Sequence, residues 1–164
     1  MSRPRIEIEK DASDWVIEIV GFLFLAGLIL IPLIYFYDLP DRIPSHYNAS
    51  GEVDGFSSRN SLWMLPAIGL IMFVGMYVLT KYPHIYNYPT EITEENAERQ
   101  YRGAIKLVRV LNTLTVGAFL YLSTNSILGA ISEDYGLGFW FIPVLMFAMF
   151  APIGFYGYYA FKKK

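Results

Sequence analysis

The chain has 164 residues, of which 54% are hydrophobic and 17% are aromatic, and its formal net charge is −2. Soluble domains carry fewer apolar and more charged residues than this. The chain has no cysteine, which excludes disulfides, thiol catalysis and cysteine-ligated metals. This composition predicts a membrane protein whose first partner is the lipid bilayer, and we expect no nucleic-acid partner.

Four apolar blocks are long enough to cross a bilayer, which takes about 20 residues at a rise of about 1.5 Å each. They predict an all-α membrane protein in which residues 1–164 form a single domain of four transmembrane helices. The first block is too long for a removable signal peptide, and Asp38-Leu39-Pro40 follows it in place of a small-residue cleavage site. The predicted spans are approximately residues 15–37, 62–80, 107–128 and 139–160.

The basic residues alternate between the predicted loops. Of the 13 Lys and Arg residues, only Arg42 and Arg59 lie between the first two spans. The other eleven lie near the two termini, in the connection 81–106, or just inside the third span. Cytoplasmic segments carry the excess of Lys and Arg. We therefore expect both termini and the connection 81–106 in the cytoplasm, and the loop 38–61 outside.

The predicted outer face is acidic. Such a surface favours cations or cationic peptides that approach from outside. Acidic residues are also what remains there when basic residues are held inside, so charge alone does not name a partner. The acidic residues concerned are Asp38, Asp41, Glu52, Asp54, Glu133 and Asp134.

The third span is the most polar of the four, which predicts hydrogen bonds to neighbouring helices. No Asp, Glu, Lys or Arg accompanies its polar residues at the membrane centre, so ion-coupled transport is a weak hypothesis. Thr93 is predicted to cap a helix that runs unbroken from the cytoplasm into this span. Lys106 and Arg109 are predicted to extend towards the lipid headgroups. The polar residues are Asn112, Thr113, Thr115, Ser123, Thr124 and Asn125.

The outer loop contains nitrogen and oxygen ligands within nine residues, and His46 with Asp54 is a candidate divalent-metal pair. A single His is a weak zinc signal, and the spacing of a calcium loop is absent, so the main expectation is no cofactor. Asn48 to Gly51 and Asp54-Gly55 are each predicted to form a turn. The chain shows no nucleophile–base pairing and no glycine-rich phosphate loop, so we do not expect an enzyme.

The outer loop contains, in this order, Leu39-Pro40, Ile43-Pro44, His46, Asn48, Gly51 and Asp54-Gly55. This order of residues resembles the signature of a bacterial integral-membrane family described as a domain of unknown function. The same domain opens the SdpI-type toxin-immunity proteins, which are longer and carry further spans. The resemblance implies a multi-pass protein of the bacterial cytoplasmic membrane. For SdpI-type proteins it further implies protection against a secreted peptide toxin and signalling of its presence.

Three functions remain open at this stage. In the first, the outer loop recognises a peptide or small ligand, as an immunity-like or sensor-like protein would. In the second, the protein is an accessory or scaffolding subunit whose third span and Tyr-rich segment after span two contact another membrane protein. In the third, the loop holds a metal-dependent site. The loop can also serve only to close the outer mouth of the bundle. The predicted ligand-binding residues are Pro44, His46, Tyr47, Asn48, Gly51, Asp54 and Gly55.

Overall fold

The computed structural model describes residues 3–132 and 136–162, and four of its helices are long and apolar enough to span a membrane. This confirms the predicted fold class. The predicted outer acids Glu133 and Asp134 and the terminal Lys163 and Lys164 lie outside the described residues. The elements, in chain order, are α1 (Ala12–Tyr35), β1 (Arg42–Tyr47), β2 (Val53–Ser58), α2 (Met64–Leu79), α3 (Ala97–Ser132) and α4 (Phe141–Lys162).

The third helix is the centre of the molecule, and the other three helices pack around it. Its 36 residues extend about 54 Å, well beyond the roughly 30 Å hydrocarbon core of a bilayer. As predicted, it runs unbroken from the connection after α2 into the third span. No residue in the apolar stretch of α4 is buried, which is expected for a helix at the lipid-facing edge of the bundle.

Helices α1 and α3 run in the same direction and approach closely because small residues lie between them. A side chain at Gly21 would come within 2.9 Å of the Thr113 hydroxyl. That hydroxyl donates to the Ile17 carbonyl oxygen over 3.1 Å. Asn112 Nδ2 likewise donates to the Phe73 carbonyl oxygen of α2 over 3.1 Å. The predicted hydrogen bonds from the third span to its neighbours are therefore confirmed.

The loop between α1 and α2 folds as an antiparallel hairpin of β1 and β2. We call this side of the bundle the hairpin end, and the opposite side, where α1 and α3 begin, the terminal end. Asn48 to Gly51 form the predicted turn between the strands, where the Gly51 N–H donates to the Asn48 carbonyl oxygen. The second predicted turn is wrong, because Asp54-Gly55 lies inside β2. The strand pairing is irregular at this point, with register shifts on either side of His46.

At the terminal end, the N-terminal segment crosses the start of α3. Tyr101 donates to the Pro4 carbonyl oxygen over 2.9 Å, and Arg102 donates to that of Glu9 over 3.1 Å. The Tyr88 hydroxyl donates to the Pro83 carbonyl oxygen over 2.9 Å, and burial raises the pKa of this group. The helix begins later than the predicted cap at Thr93. Its first residue is Ala97, whose N–H donates to the Thr93 carbonyl oxygen.

Arg109 does not extend towards the headgroups, which corrects the prediction. Its side chain is only 7% exposed, with Nη1 lying 2.9 Å from Asp14 Oδ1 and Nε lying 2.9 Å from Glu18 Oε1. Lys10 Nζ lies 2.5 Å from the other Glu18 carboxylate oxygen, Oε2. The two carboxylates of α1 are therefore the reason why a cation of α3 stays between the helices, since a buried charge requires a partner.

Candidate ligand cavity beneath the hairpin

The turn of the hairpin is built by the Asn48 side chain. Its Oδ1 accepts from the backbone N–H groups of Ser50 and Glu52 at 2.9 and 3.0 Å, and its Nδ2 donates to Glu52 Oε2. Gly51 adopts a φ of 81°, a left-handed conformation that favours glycine. A side chain there would also come within 2.8 Å of the Gly138 carbonyl oxygen. Asn48 and Gly51 therefore shape the loop itself.

Two irregularities in the strand pairing bring His46 and Asp54 together. Pro44 pairs with Phe56, His46 with Gly55 and Tyr47 with Val53, so one residue is left unpaired on each strand. Bulges of this kind redirect side chains. His46 Nδ1 lies 2.5 Å from Asp54 Oδ1, and both side chains are solvent-accessible. Opposite His46, a side chain at Gly55 would come within 2.9 Å of the His46 Cβ.

A chain of hydrogen bonds fastens the hairpin to α3. Ser126 Oγ donates to the Pro44 carbonyl oxygen over 2.8 Å, so its own oxygen is left to accept from the Tyr47 hydroxyl at 3.3 Å. Asn125 Nδ2 in turn donates to the Tyr47 oxygen over 3.3 Å. Pro44 itself is buried. Both Ser126 and Asn125 are on α3, so the hairpin lies directly over that helix.

The connection before α4 closes the other side of the hairpin. The Leu137 N–H donates to the Gly51 carbonyl oxygen over 2.7 Å, and the Leu137 carbonyl oxygen accepts from the Tyr121 hydroxyl over 3.0 Å. Tyr121 also stacks on Phe141 at the start of α4, with ring centroids 4.7 Å apart. The hairpin tip, α3 and α4 are therefore connected through one short segment.

A cavity of about 260 Å³ lies between the hairpin and the helix ends. Its walls are mostly apolar side chains, which include Leu62 just before α2, Leu65 of α2 and Leu122 of α3. Small hydroxyl groups and the rings of His46 and Tyr47 supply its polar surface. Mostly apolar walls with a few polar groups are typical of small-molecule sites.

The Ser123 hydroxyl is the unusual polar group of this cavity. The residue is 1% exposed, and its Oγ has no hydrogen-bond partner among the residues that the structure describes. Buried hydroxyl groups are almost always hydrogen-bonded, and one that is not costs free energy. Ser123 belongs to the cavity wall, so a ligand that reached its hydroxyl would supply the missing partner.

The structure brings three of the predicted ligand-binding residues to the cavity, namely Pro44, His46 and Tyr47. The other four, Asn48, Gly51, Asp54 and Gly55, shape the turn and the bulge and do not line it. The prediction missed the residues of α3 and α4 that complete the walls. Ser123 was predicted to make hydrogen bonds to neighbouring helices, but it lies near the C-terminal end of α3, at the level of the hairpin, and lines the cavity.

The candidate metal pair supplies two ligands, His46 Nδ1 and Asp54 Oδ1. No group of three or more His, Cys, Asp or Glu residues gathers in the described ranges 3–132 and 136–162. Glu52, the remaining carboxylate of the loop, accepts a hydrogen bond from Asn48. On these residues a bound cation would depend largely on water for its coordination.

Comparison with known proteins finds a family match over the segment that contains the hairpin. Residues 23–70 match the family model described as "Domain of unknown function (DUF1648)". This confirms the resemblance to a domain of unknown function across the second half of α1, the hairpin and the start of α2. An uncharacterized protein of Archaeoglobus fulgidus is 28% identical over 148 residues, which cover 82% of this chain and 80% of that protein. No solved structure matches the chain.

The expected bacterial origin is not supported by these matches, because the relative is archaeal. Neither match names toxin immunity, so that role is not supported either. What the matches and the four apolar helices do support is a multi-pass membrane protein with a domain of unknown function.

Proposed function

We propose that this multi-pass membrane protein recognises a peptide or small ligand from outside the cell through the cavity beneath its hairpin. The observation that carries the proposal is the buried, unpartnered Ser123 hydroxyl in a mostly apolar cavity. The ligand we infer has an apolar group that fills about 260 Å³ and a polar atom that hydrogen-bonds to Ser123. A peptide would insert one or two apolar side chains into a space of this size.

The side from which the ligand would approach is inferred from the distribution of Lys and Arg between the two ends of the bundle. Among the described residues, the hairpin end has two basic residues, Arg42 and Arg59. The other described Lys and Arg residues lie at the terminal end or just inside it. This asymmetry favours a cytoplasmic terminal end. The cavity would then open to the outside, where an acidic surface favours a ligand that also carries positive charge.

Photocrosslinking in cells tests this proposal. A benzophenone side chain at Tyr47 keeps an aromatic ring in the cavity wall, and we expect it to form a discrete adduct with the ligand. Ser123→Ala removes the hydroxyl that the ligand would bind, and one hydrogen bond is worth about 0.5–1.5 kcal/mol. We therefore expect adduct yield to fall by about twofold to tenfold at unchanged protein level. Ser132→Ala, on the same helix but exposed, is the matched control and should leave the yield unchanged.

Two further probe positions separate the alternatives. Tyr37 lies at the hairpin end and is 86% exposed but does not line the cavity, so an equal adduct there would indicate nonspecific capture and contradict the proposal. Ile85 is exposed at the terminal end. A discrete adduct from Ile85 with none from Tyr47 would replace ligand recognition by the accessory-subunit function.

A further inference from the structure

A second cavity, at the terminal end, has the chemistry of a phosphate-binding site. We propose that it binds the phosphate-bearing headgroup of an anionic phospholipid, at the level where α2 leaves the membrane. The cavity has a volume of about 630 Å³, within the range of ligand sites. It lies on the opposite side of the bundle from the hairpin, so this inference and the proposed function stand or fall separately.

Three parts of the chain form the walls of this cavity. The N-terminal segment contributes Arg5 and Lys10, the turn after α2 contributes Lys81 and His84, and α3 contributes Arg109. These positions are up to 104 residues apart in sequence (109 minus 5). A basic cavity between helices at a membrane surface is the arrangement that holds lipid headgroups.

The charges in the cavity divide into paired and unpaired groups. Lys10 and Arg109 are neutralised by Glu18 and Asp14, which lie behind the wall. Within the described part of the chain, Arg5 and Lys81 form no ion pair with any carboxylate, and Lys81 lies only against the Tyr77 ring, 5.7 Å from its centroid.

One carboxylate also lines the cavity. Glu7 forms no ion pair among the described residues and offsets one of the two unpaired cations. Apart from His84, the two unpaired cations and Glu7 leave one positive charge in excess, which matches the single negative charge of a phosphodiester headgroup.

The apolar part of the wall fits a lipid better than a fully water-soluble anion. Ile6, Ile8 and Ile105 lie beside the cations, and the Tyr77 and Tyr82 rings mark the end of α2. Tyrosine is typical of the membrane–water interface. The unpaired ammonium and guanidinium groups are therefore placed where a headgroup would lie, with apolar side chains where its glycerol and first methylenes would follow.

Native mass spectrometry of the purified chain tests the proposal. The protein is mixed with phosphatidylglycerol or with phosphatidylcholine, and separately with glycerol 3-phosphate as the soluble source of the same phosphate chemistry. We expect preferential retention of phosphatidylglycerol. A juxtamembrane Lys or Arg contributes about 1 kcal/mol, so Arg5→Gln with Lys81→Gln should weaken this retention about thirtyfold. Lys162→Gln, an exposed cation at the same end that does not line the cavity, is the control and should have no effect.

Glu7→Gln should change the retention of phosphatidylglycerol in the opposite direction. Removal of the carboxylate should strengthen retention of phosphatidylglycerol about fivefold. If the double variant does not fold, this single variant decides the proposal. Binding of glycerol 3-phosphate that depends on Arg5 and Lys81 would assign the site to a soluble phosphate ester. Equal retention of both lipids without phosphate binding, or no change in Glu7→Gln, would overturn the proposal.

Discussion

At the scale of single residues, two serines one turn apart on α3 have opposite expected roles. Ser126 Oγ donates to the Pro44 carbonyl oxygen and fastens the hairpin, whereas the buried Ser123 Oγ has no partner among the described residues. Ser126→Ala leaves a buried carbonyl oxygen unsatisfied and should lower the free energy of unfolding by about 1–3 kcal/mol. Ser123→Ala removes an unsatisfied group and should leave stability unchanged or slightly raised.

Thermal unfolding of the two variants in the same detergent checks this difference. If Ser123→Ala unfolds at the wild-type temperature and also lowers the adduct yield from the Tyr47 probe, its effect is on ligand binding and not on folding. A large destabilisation by Ser123→Ala would mean that its hydroxyl is satisfied in the folded chain, and the principal support for the cavity as a ligand site would be lost.

The motif residues show what a sequence can and cannot reveal at this scale. The turn at Asn48 to Gly51 was predictable because Asn and Gly form turns through local chemistry. The contact between His46 and Asp54 was only a possibility among several, because it depends on two strand bulges that no local pattern specifies. The cavity was not predictable from the loop alone, because most of its wall belongs to helices far along the chain.

At the scale of elements, the four helices were predictable because bilayer thickness sets the length of their apolar blocks. The hairpin was predicted only as an ordered loop, since Pro44 and the bulges interrupt the alternation that indicates a strand. The ion pairs between α1 and α3 were missed altogether. Charged residues near the ends of spans usually extend to the interface, and the partners of Arg109 lie 91 and 95 residues earlier in the chain (109 minus 18 and 109 minus 14).

These ion pairs lead to a prediction about how α1 and α3 stay together. Arg109→Met leaves Glu18 with Lys10 as its cation. Asp14 keeps Lys106, whose Nζ lies 3.9 Å from Asp14 Oδ1. Because these cations remain, the free energy of unfolding should fall by less than the cost of a wholly unpaired buried charge, which is about 3–5 kcal/mol. Arg109→Lys should recover only part of this, because a single ammonium cannot reproduce the separate Nη1 and Nε contacts. The measurement is the unfolding midpoint in detergent.

Arg102→Met is the matched control for this prediction. Arg102 lies two turns earlier on α3 and pairs with the exposed Glu98, and such a surface pair contributes about 1 kcal/mol or less. Equal midpoints for the Arg109 and Arg102 variants would show that the buried pairs do not hold the two helices together.

The same pairs also order the start of α1. Asp11 caps this helix through a reciprocal arrangement with Asp14, and hydrogen bonds from Lys106 and Ser13 lower the pKa of Asp11. A carboxylate in this position stabilises the N-terminus of a helix. Cap and ion pairs together place the N-terminal segment against α3, where Arg5 and Lys10 reach the second cavity.

At the scale of the whole molecule, the two cavities lie at opposite ends of one bundle. The proposal that the hairpin cavity takes its ligand from outside the cell depends on which end faces the cytoplasm. The absence of cysteine makes this measurable, because a single introduced cysteine is the one thiol in the protein. Ser50 at the hairpin tip and Asn87 after α2 are both exposed positions. In intact cells, we expect a membrane-impermeant maleimide to label Ser50→Cys and not Asn87→Cys, because Lys and Arg concentrate at the terminal end.

Permeabilised cells, where both should react, provide the control. Labelling of Asn87→Cys alone in intact cells would reverse the orientation and place the hairpin cavity in the cytoplasm, so that its ligand would have to be sought there.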